Sequence, residues 1–389
     1  MPGEKERAYQ IMLINLQNKN SFESWHVPCL LNNQNINAKK GAFKEKEGII
    51  MAIKPVIGVL LGDAAGVGPE LVAKCAAANF YEEYCKPIVI GDLRVLERAL
   101  KVIGAEDKVK LQVISDVDAA DWSKGLPVLD QKNLDPAEVP FGTKTVVSGK
   151  ACLDMLKLGV ELWQAGKIGG YVFGPLNKAG MHDAGLTLES EHHYLAQLLG
   201  HTDPFGEINV TNGLYTTRTT SHIPIAQVSA DLSENDGLRI KRAIRLSYKT
   251  LTGAGIENPK IGVAALNPHC GENGDCGREE IDVITPAIEW AKKEGINASG
   301  PYPSDIVFHK ALVKKEFDGV VTMYHDQGQI ALKLIGFEGG ITVAGGFPIP
   351  IVTCGHGTAY DIAGKGVVTT ASFENAVKQC ATMAAVAAK

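Results

Sequence analysis

The fold of this chain is decided by the stretch Gly319-Val320-Val321-Thr322-Met323-Tyr324-His325-Asp326-Gln327-Gly328. Its first five residues are an apolar run typical of a buried strand, and the run ends abruptly in Tyr-His-Asp-Gln-Gly. In α/β folds, ligands bind at the carboxyl ends of the strands. We therefore expect His325 and Asp326 at a ligand site, and Lys333 returns to the same pocket if residues 329–334 form a turn or two of helix.

The remainder of the chain after Pro55 alternates short β-branched runs with helical stretches, which predicts parallel strands joined by crossover helices. Residues 116–142 are expected to be a loop with little regular structure. The further predicted strands are 56–61, 86–91, 109–115, 170–174, 223–228 and 260–266. The predicted helices are 70–78, 93–103, 143–165, 189–199, 238–251, 279–294 and 373–388.

Composition narrows the class of protein. A chain of 389 residues with 45% hydrophobic residues, 21% charged residues and 42 glycines is typical of a soluble globular α/β protein. A net charge of -5 and a pI near 6.1 give no reason to expect nucleic acid or an anionic membrane as partner. The chain lacks a secretory signal and a long apolar run, and its eight cysteines form no CxxC pair. We predict a cytoplasmic protein with reduced thiols that acts on small molecules.

Residues 1–50 differ from the rest of the chain. They are polar and rich in amide side chains, without the periodicity of a helix or strand. Such a tract cannot bury enough surface to offset its ordering entropy. We predict a poorly ordered leader, or sequence translated ahead of a start at Met51, with a functional arm as the alternative; residues 51–389 form the predicted catalytic domain.

Three histidines share a similar context. We expect His222 to precede a strand and His269 and His325 each to follow one, so that their side chains could converge at one rim of a sheet. Neutral imidazoles suit Zn, Mn, Co or, with water, Mg. The alternatives are three ordinary polar histidines, or a zinc site that combines His269 with Cys270 and Cys276.

Two lysines and one carboxylate are the candidate catalytic groups. Lys178 and Lys333 each follow a predicted strand-end turn, where a lysine can bind a phosphate or carboxylate or act as an acid or base. Asp326 is adjacent to His325 in the same turn. The alternative for both lysines is an exposed side chain without a role.

Two glycine-containing segments suggest a dinucleotide. Gly62 to Glu70 resembles a phosphate-cradling turn before a helix, but it is neither GxGxxG nor a Walker sequence. Gly355 to Gly366 contains His-Gly-Thr-Ala-x-Asp-Ile-Ala-Gly-x-Gly, which resembles the adenosine-binding loop of the isocitrate and isopropylmalate dehydrogenases. Those enzymes hold NAD(P) without a Rossmann fingerprint. The resemblance implies a cofactor site at Gly355, His356, Gly357, Thr358, Ala359 and Asp361.

Seven motifs, in order from Pro55 to the carboxyl end, resemble the 4-hydroxythreonine-4-phosphate dehydrogenase family. They are Gly62 to Glu70, Gly174-Pro-Leu-Asn-Lys178, Asn267-Pro-His-Cys-Gly-Glu272, Gly277-Arg-Glu-Glu-Ile-Asp282, Gly300-Pro-Tyr-Pro-Ser-Asp305, Tyr324-His-Asp-Gln-Gly328 and His356 to Gly364. The resemblance implies an isocitrate/isopropylmalate dehydrogenase-like three-layer α/β/α fold, with two interleaved subdomains and an active-site cleft between them.

The same resemblance implies the chemistry. It matches His222, His269 and His325 to three metal ligands, with one of them crossing the interface of a homodimer, and Lys333 to a substrate-binding lysine. The implied reaction is oxidation of the secondary alcohol of an anionic 3-hydroxy acid by NAD or NADP. A divalent metal acts as the Lewis acid, and the resulting β-keto acid can lose CO2.

The chain departs from the family in the implied substrate pocket. Thr342 and Ile351 stand where the best-known members have asparagine and arginine, and Ser190-Glu191-His192-His193 stands where they have Gly-His-Thr-Glu. We therefore predict His192, His193, Thr342 and Ile351 as substrate-binding positions beside Lys333. The substrate is predicted to be a phosphorylated or carboxylated hydroxy acid. The alternatives are a carboxylated cyclohexadiene diol, a metal-dependent lyase activity, or a non-catalytic ligand-binding relative.

Overall fold

A twelve-stranded sheet runs through the computed structural model, which describes residues 54–336 and 338–388. The strands of the first half are β1 (Val56–Leu60), β2 (Lys86–Gly91), β3 (Leu111–Ile114), β4 (Leu126–Asp130), β5 (Gly170–Phe173) and β6 (Gly206–Thr211). Those of the second half are β7 (Leu214–Arg218), β8 (Ile261–Ala264), β9 (Ala298–Tyr302), β10 (Gly319–Thr322), β11 (Ile341–Gly345) and β12 (Ile351–Cys354).

Helices connect most of these strands. From the amino end they are α1 (Gly68–Ala77), α2 (Tyr81–Tyr84), α3 (Leu93–Val102), α4 (Val146–Gln164), α5 (Lys178–Asp183) and α6 (Glu191–Leu199). They continue with α7 (Val228–Ser233), α8 (Leu238–Gly253), α9 (Thr285–Lys293), α10 (Ser304–Leu312), α11 (His325–Gly336) and α12 (Ala371–Ala387). One π-helical turn, Glu280–Ile284, leads directly into α9.

The sheet consists of two parallel blocks joined by antiparallel strands. Its order is β3-β4-β2-β1-β5-β12-β11-β6-β7-β10-β8-β9. The pairs from β3 to β12 are parallel, as are those from β7 to β9, whereas β12-β11, β11-β6 and β6-β7 are antiparallel. Because three successive reversals separate the blocks, their strands run in opposite directions. The strands of one block therefore have their carboxyl ends on the side of the sheet where the strands of the other block have their amino ends.

Helices cover both faces of the sheet and bury its apolar strands. The residues of β1 from Ile57 to Leu60 and those of β10 are buried. On one face of the second block, α11 lies so close that a Cβ on Gly328 would be 3.1 Å from Thr322 Oγ1 and 3.2 Å from Thr216 Cγ2. The predicted three-layer α/β/α fold is confirmed.

Two predicted segments are wrong. Residues 116–142, predicted as a loop, contain β4, and the predicted strand 223–228 is an exposed 3-10 turn, Ile225–Gln227, that leads into α7. The strand in that region is β7, whose polar residues Thr216, Thr217 and Arg218 concealed it. His222 therefore follows a strand, as His269 and His325 do, instead of preceding one as predicted.

Three further expectations concern the leader, the subdomains and membrane-spanning segments. The predicted leader, 1–50, lies outside the described residues, and the division of 51–389 into two interleaved subdomains stays a prediction. Among the residues that the structure describes, no helix has the length and apolar character that crossing a membrane requires.

Candidate active site

Three histidines follow the carboxyl ends of β7, β8 and β10, which are neighbours in the sheet in the order β7-β10-β8. His222 and His269 lie in the segments that follow β7 and β8, and His325 is the first residue of α11. The rings of His222 and His325 lie 5.8 Å apart between centroids. Their loops are joined, because Thr220 donates both its N–H (3.2 Å) and its hydroxyl (2.8 Å) to the carbonyl of Met323. The sheet therefore brings this pair together.

His269 lies in a left-handed turn. Its φ is 50° and that of Cys270 is 58°, a region that is unfavourable for residues other than glycine. The turn is anchored by buried Glu280, whose Oε1 accepts hydrogen bonds from the N–H groups of Leu266 and Asn267, both at 2.8 Å. Backbone strain of this kind is often found at functional sites. The side chain of His269 is 72% exposed.

Two of the histidines are oriented by carboxylates. His269 Nδ1 donates to Glu272 Oε1 at 2.5 Å, and His325 Nδ1 donates to Asp326 Oδ1 at 2.7 Å. The hydrogen bond and the charge of Glu272 raise the pKa of His269. In each histidine Nε2 then carries the free lone pair, which is the arrangement typical of metal-binding histidines. The donor set therefore fits a divalent metal.

The three histidines do not complete a metal site within one chain. Among the described residues, the group whose ligand atoms all lie within 4.8 Å of one another is Glu191, His192 and Glu207. The assignment of His222, His269 and His325 as ligands stays a prediction.

The amide of the opening stretch has a structural role. Gln327 accepts from the N–H of Met323 at 2.7 Å and donates to the carbonyl of Ala265 and to Ser304 Oγ, both at 2.7 Å. It thereby joins the end of β10 to the end of β8 and to the start of α10. Gln327 fixes the turn that carries His325 and Asp326.

Lys333 lies on α11, two turns after His325, as the predicted helix required. It lines a pocket with Asn209 and Gln329, and Gln329 donates to Asn209 Oδ1 at 2.8 Å. Asn209 in turn donates to Thr342 Oγ1 at 3.1 Å. The structure therefore brings Lys333 and Thr342 to one polar surface of the sheet.

Ile351 lies on β12, and its side chain is 0% exposed. The fully buried side chain offers no atom to a substrate in this arrangement, because it packs in the hydrophobic core. Its substrate-binding role stays a prediction that this burial does not support.

The candidate residues near the start of α6 separate into two groups. His192 is 5% exposed and joins a cluster with Glu191 and Lys178, which lie 3.4 Å apart between Oε2 and Nζ. Burial would raise the pKa of Glu191, but His192 and Lys178 outweigh it and bring that pKa to about 2. His193 instead interacts with Ser190 Oγ at 3.0 Å and packs edge-on against Phe205.

The glycine turn after β1 and the predicted adenosine loop lie together. The buried carboxylate of Glu70 accepts from the N–H groups of Gly364 (2.6 Å) and Gly366 (2.9 Å), and Val67 N–H donates to the carbonyl of Thr358 at 3.0 Å. Tyr360 donates to Asp63 at 2.5 Å. These hydrogen bonds hold the loop against the turn. At Gly357 there is free space on the side where a Cβ would be.

Sequence reasoning missed Glu207 and Arg218, which form an ion pair of 2.6 Å across β6 and β7. Burial would raise the pKa of Glu207, but Arg218, His192 and Lys178 lower it overall. Charged residues in strands usually face water, and the sequence does not show which face of this hairpin is covered. The alternation in Glu207-Ile-Asn209-Val, with both polar residues on one face, was the signal that could have revealed them.

Comparison with known proteins identifies related chains. The family model described as pyridoxal phosphate biosynthetic protein PdxA matches residues 83–380. A Pseudomonas aeruginosa protein, provisionally named 4-hydroxythreonine-4-phosphate dehydrogenase 2, is 44% identical over 315 residues, covering 80% of this chain and 92% of its own. D-threonate 4-phosphate dehydrogenase of Cupriavidus necator is 37% identical, covering 85% of this chain and 97% of its own.

A solved structure of a protein with a related name is also similar to this chain. The crystal structure of a 4-hydroxythreonine-4-phosphate dehydrogenase from Burkholderia phymatum is similar to this chain with a TM-score of 0.72 and 38% identity. The match covers 85% of this chain and 98% of the other. The similarity therefore extends over both parallel blocks of the sheet.

Proposed function

This chain belongs to the PdxA family, and from that premise we propose that it is a dehydrogenase that oxidises the secondary alcohol of a 3-hydroxy acid, using NAD or NADP and a divalent metal. The relatives named above act, by their names, on four-carbon phosphorylated hydroxy acids. We propose that the substrate of this chain has the same type of carbon skeleton. Decarboxylation of the β-keto product follows as the second step.

The observation that carries the proposal is the pairing of His222 with His325 at the ends of adjacent parallel strands, 5.8 Å apart. A divalent metal bound there would supply Lewis-acid polarisation of the alcohol oxygen. Asp326 and Glu272 keep Nε2 of His325 and of His269 available as lone pairs. These two carboxylates are positioning residues, and the histidines are the metal-binding residues.

We propose that the active protein is a homodimer whose sites lie between subunits. On α11, Ile330 is 59% and Leu334 is 84% exposed, and the two side chains lie one turn apart beside Lys333. Large exposed aliphatic side chains next to a site are typical of a surface covered by a partner. A histidine from a second copy would also complete the site that one chain leaves open.

The dinucleotide is proposed to bind at the loop that Glu70 holds, with Gly355, His356, Gly357, Thr358, Ala359 and Asp361 as contacts. The open side of Gly357 and the exposed Asp361 fit the close approach of an adenosine group. A nicotinamide cofactor held there would supply the acceptor for the hydride of the substrate carbon, and a base of the protein would take the hydroxyl proton.

Lys333 is proposed to bind the substrate carboxylate. It is exposed on the pocket side of α11, and it makes no ion pair with any described residue. Lys178 is the proposed proton carrier, because it reaches the same polar face of the sheet. Its ammonium group forms an ion pair with Glu191. The proposed catalytic residues are therefore Lys178 and Lys333, and Asp326 is a positioning residue that acts through His325.

The deciding experiment is a panel of 3-hydroxy acids, phosphorylated and not, assayed by NADH or NADPH absorbance with Zn, Mn, Co or Mg. We expect reduced cofactor with at least one member and loss of that activity on chelation. If no member of the panel produced reduced cofactor and fluorescence titration showed no NADH binding, the dehydrogenase proposal would be wrong. A lyase or a binding protein would then be the better description.

A further inference from the structure

One side chain ties residues 136–142 to the glycine turn after β1. These residues, which we call the strap, lie between β4 and α4. Arg98 on α3 donates from Nη1 to the carbonyls of Pro136 (2.9 Å) and Val139 (2.8 Å). From Nη2 it donates to the carbonyl of Ala64, in the glycine turn, at 2.6 Å. Because these acceptors belong to two separate segments, Arg98 holds the strap and the turn together.

The strap also contacts the predicted adenosine loop. A Cβ on Gly364 would be 2.5, 2.7 and 2.9 Å from three atoms of the Phe141 ring, so the ring lies directly against that glycine. A Cβ on Gly142 would be 2.8 Å from the carbonyl oxygen of Tyr360. Gly142 also donates its N–H to the carbonyl of Ala65 in the glycine turn, at 2.8 Å. The strap therefore touches both segments of the proposed cofactor site.

The Phe141 ring is oriented by Arg98. The guanidinium carbon of Arg98 lies 4.3 Å from the centroid of the ring, a distance at which the cation is attracted by the aromatic face. Phe141 is 37% exposed, so burial alone does not fix the ring. Gly364 is thus held by two helices, because Glu70 on α1 accepts its N–H at 2.6 Å and the ring that Arg98 orients from α3 packs against it.

The charge of Arg98 is not used in an ion pair. No carboxylate of a described residue pairs with this side chain, and burial lowers the pKa of its guanidinium. A cation that leaves water without a counter-charge is destabilised, and the three carbonyl bonds offset part of that cost. An apolar side chain would pack here at less cost, but it could not hold two backbone segments in one arrangement. The contacts of Arg98 are therefore better explained by the position of the strap than by the stability of the fold.

A direct contact between Arg98 and a phosphate of the dinucleotide is the alternative role. Three hydrogen bonds to carbonyls and the contact with Phe141 already engage the guanidinium. A lysine at this position separates the two roles. It keeps the positive charge that a phosphate needs, but it lacks the planar fork that joins several carbonyls and stacks on a ring.

We infer that Arg98 is a positioning residue for the dinucleotide and acts through the strap and Phe141 on the loop around Gly364. The inference rests on the proposed cofactor site and deepens it. An adenosine group that enters the loop meets a backbone that is already ordered, which lowers the entropic cost of binding. Arg98 supports the adenosine end of the cofactor, so the chemical step does not depend on it.

The test titrates the full chain with ADP-ribose, which carries the adenosine end of the cofactor without the nicotinamide. Arg98→Met and Arg98→Lys should each raise the Kd by about tenfold, since about one backbone residue of the loop loses its order. Phe141→Leu keeps an apolar side chain without the ring, and it should raise the Kd by about threefold. Because Phe141 lies at the surface, this variant decides the question even if the Arg98 variants do not fold.

Two further measurements distinguish positioning from a general loss of structure. In the NADH assay, the KM for the dinucleotide should rise by the same factor, whereas kcat and the KM for the hydroxy acid should stay at wild-type values. Hydrogen exchange should be faster at the amides of Gly364 and Gly366 in Arg98→Met and unchanged in β10. An equal decline in all of these quantities would mean that Arg98 only stabilises the fold.

Lys101→Met is the matched control. Lys101 is exposed on α3, one turn after Arg98, so the variant removes a positive charge from the same helix. It should bind ADP-ribose as the wild type does, and thermal melting should be followed for all variants. An equal loss of affinity in Lys101→Met would mean that the charge of the helix, rather than the strap, acts on the dinucleotide.

Three results would overturn the inference, and they differ in what they say about the cofactor site. If the wild type binds ADP-ribose and Arg98→Met and Phe141→Leu bind it equally well, the inference alone is wrong. Wild-type affinity in Arg98→Lys would replace the positioning role with a direct phosphate contact. If the wild type binds neither ADP-ribose nor NADH, the proposed cofactor site is wrong, and the inference falls with it.

Discussion

His222 and His325 face each other with ring centroids 5.8 Å apart, at the ends of two strands that are neighbours in the sheet and far apart in sequence. The pairing Arg218↔Thr322 ends the β7-β10 ladder, and the loop bonds of Thr219 and Thr220 extend it by two residues. The backbone segments that lead to the two rings are therefore held together. The proposed metal site would therefore have two of its ligands close together before metal binds, which would lower the entropic cost of binding.

Glu272→Gln should weaken metal binding while the fold is kept. Glu272 accepts from His269 Nδ1 and increases the basicity of the ring, so its neutralisation should raise the Kd for metal by about 10-fold to 100-fold. Metal content and titration with a chelator measure the effect, with circular dichroism as the check on folding. Asp275→Asn, an exposed carboxylate in the same loop, should bind metal as the wild type does. Equal affinity in both variants would remove His269 from the metal site.

Leu334→Glu should separate the subunits. The side chain is 84% exposed in a single chain, so a charge there costs the monomer little but cannot be buried at an apolar interface. Light scattering after size-exclusion chromatography should show a monomer with a native circular dichroism spectrum. Val113→Glu is the control, because Val113 is also exposed, at 54%, but lies on β3 at the edge of the sheet. A dimer in both variants would place the interface elsewhere.

Much of this arrangement was accessible from the sequence, because strand-end turns such as Tyr324-His-Asp-Gln-Gly328 are visible in the apolar pattern itself. The placement of Glu207 and Arg218 was not. The two-residue turn Asn212-Gly213 sets the antiparallel register of β6 and β7, but the enclosure of the two side chains depends on distant segments, such as those that carry Lys178 and Glu191. The burial of Ile351 has the same origin, since only the packing of β12 against β5 and β11 decides which of its side chains are enclosed.

Lys333→Ala should raise KM for the hydroxy acid and leave the fold unchanged. Loss of a hydrogen-bonded charge pair costs about 1.5–3 kcal/mol, which is about 10-fold to 100-fold in kcat/KM. Lys333→Arg should restore part of the loss, because it keeps the positive charge. Lys293→Ala, on the exposed end of α9, should have wild-type kinetics. If Lys333→Ala also had them, Lys333 would not bind substrate.

Glu70→Gln should weaken dinucleotide binding by loosening the loop around Gly364. Glu70 is 1% exposed and accepts two backbone N–H bonds, so the amide can replace only one acceptor and leaves its own N–H₂ group against a donor. We expect a loss of about 1–3 kcal/mol in the free energy of unfolding. NADH fluorescence titration should show a higher Kd. A variant that is less stable but binds NADH normally would show that the loop does not hold the cofactor.

Glu191→Gln should remove part of the acid sensitivity of the fold. The pKa of Glu191 is lowered from 4.5 to about 2 in the folded chain, so its ionised form stabilises the fold above the unfolded pKa. That contribution is lost as the pH falls from about 4.5 to about 2, and it amounts to at most about 3 kcal/mol. Between pH 5 and pH 3 the melting temperature of the wild type should therefore fall more steeply than that of Glu191→Gln, whereas Glu161→Gln, at an exposed position on α4, should follow the wild type. Parallel curves for all three proteins would mean that Glu191 has an ordinary pKa, and that the charge balance around Lys178 and Arg218 is not the one described.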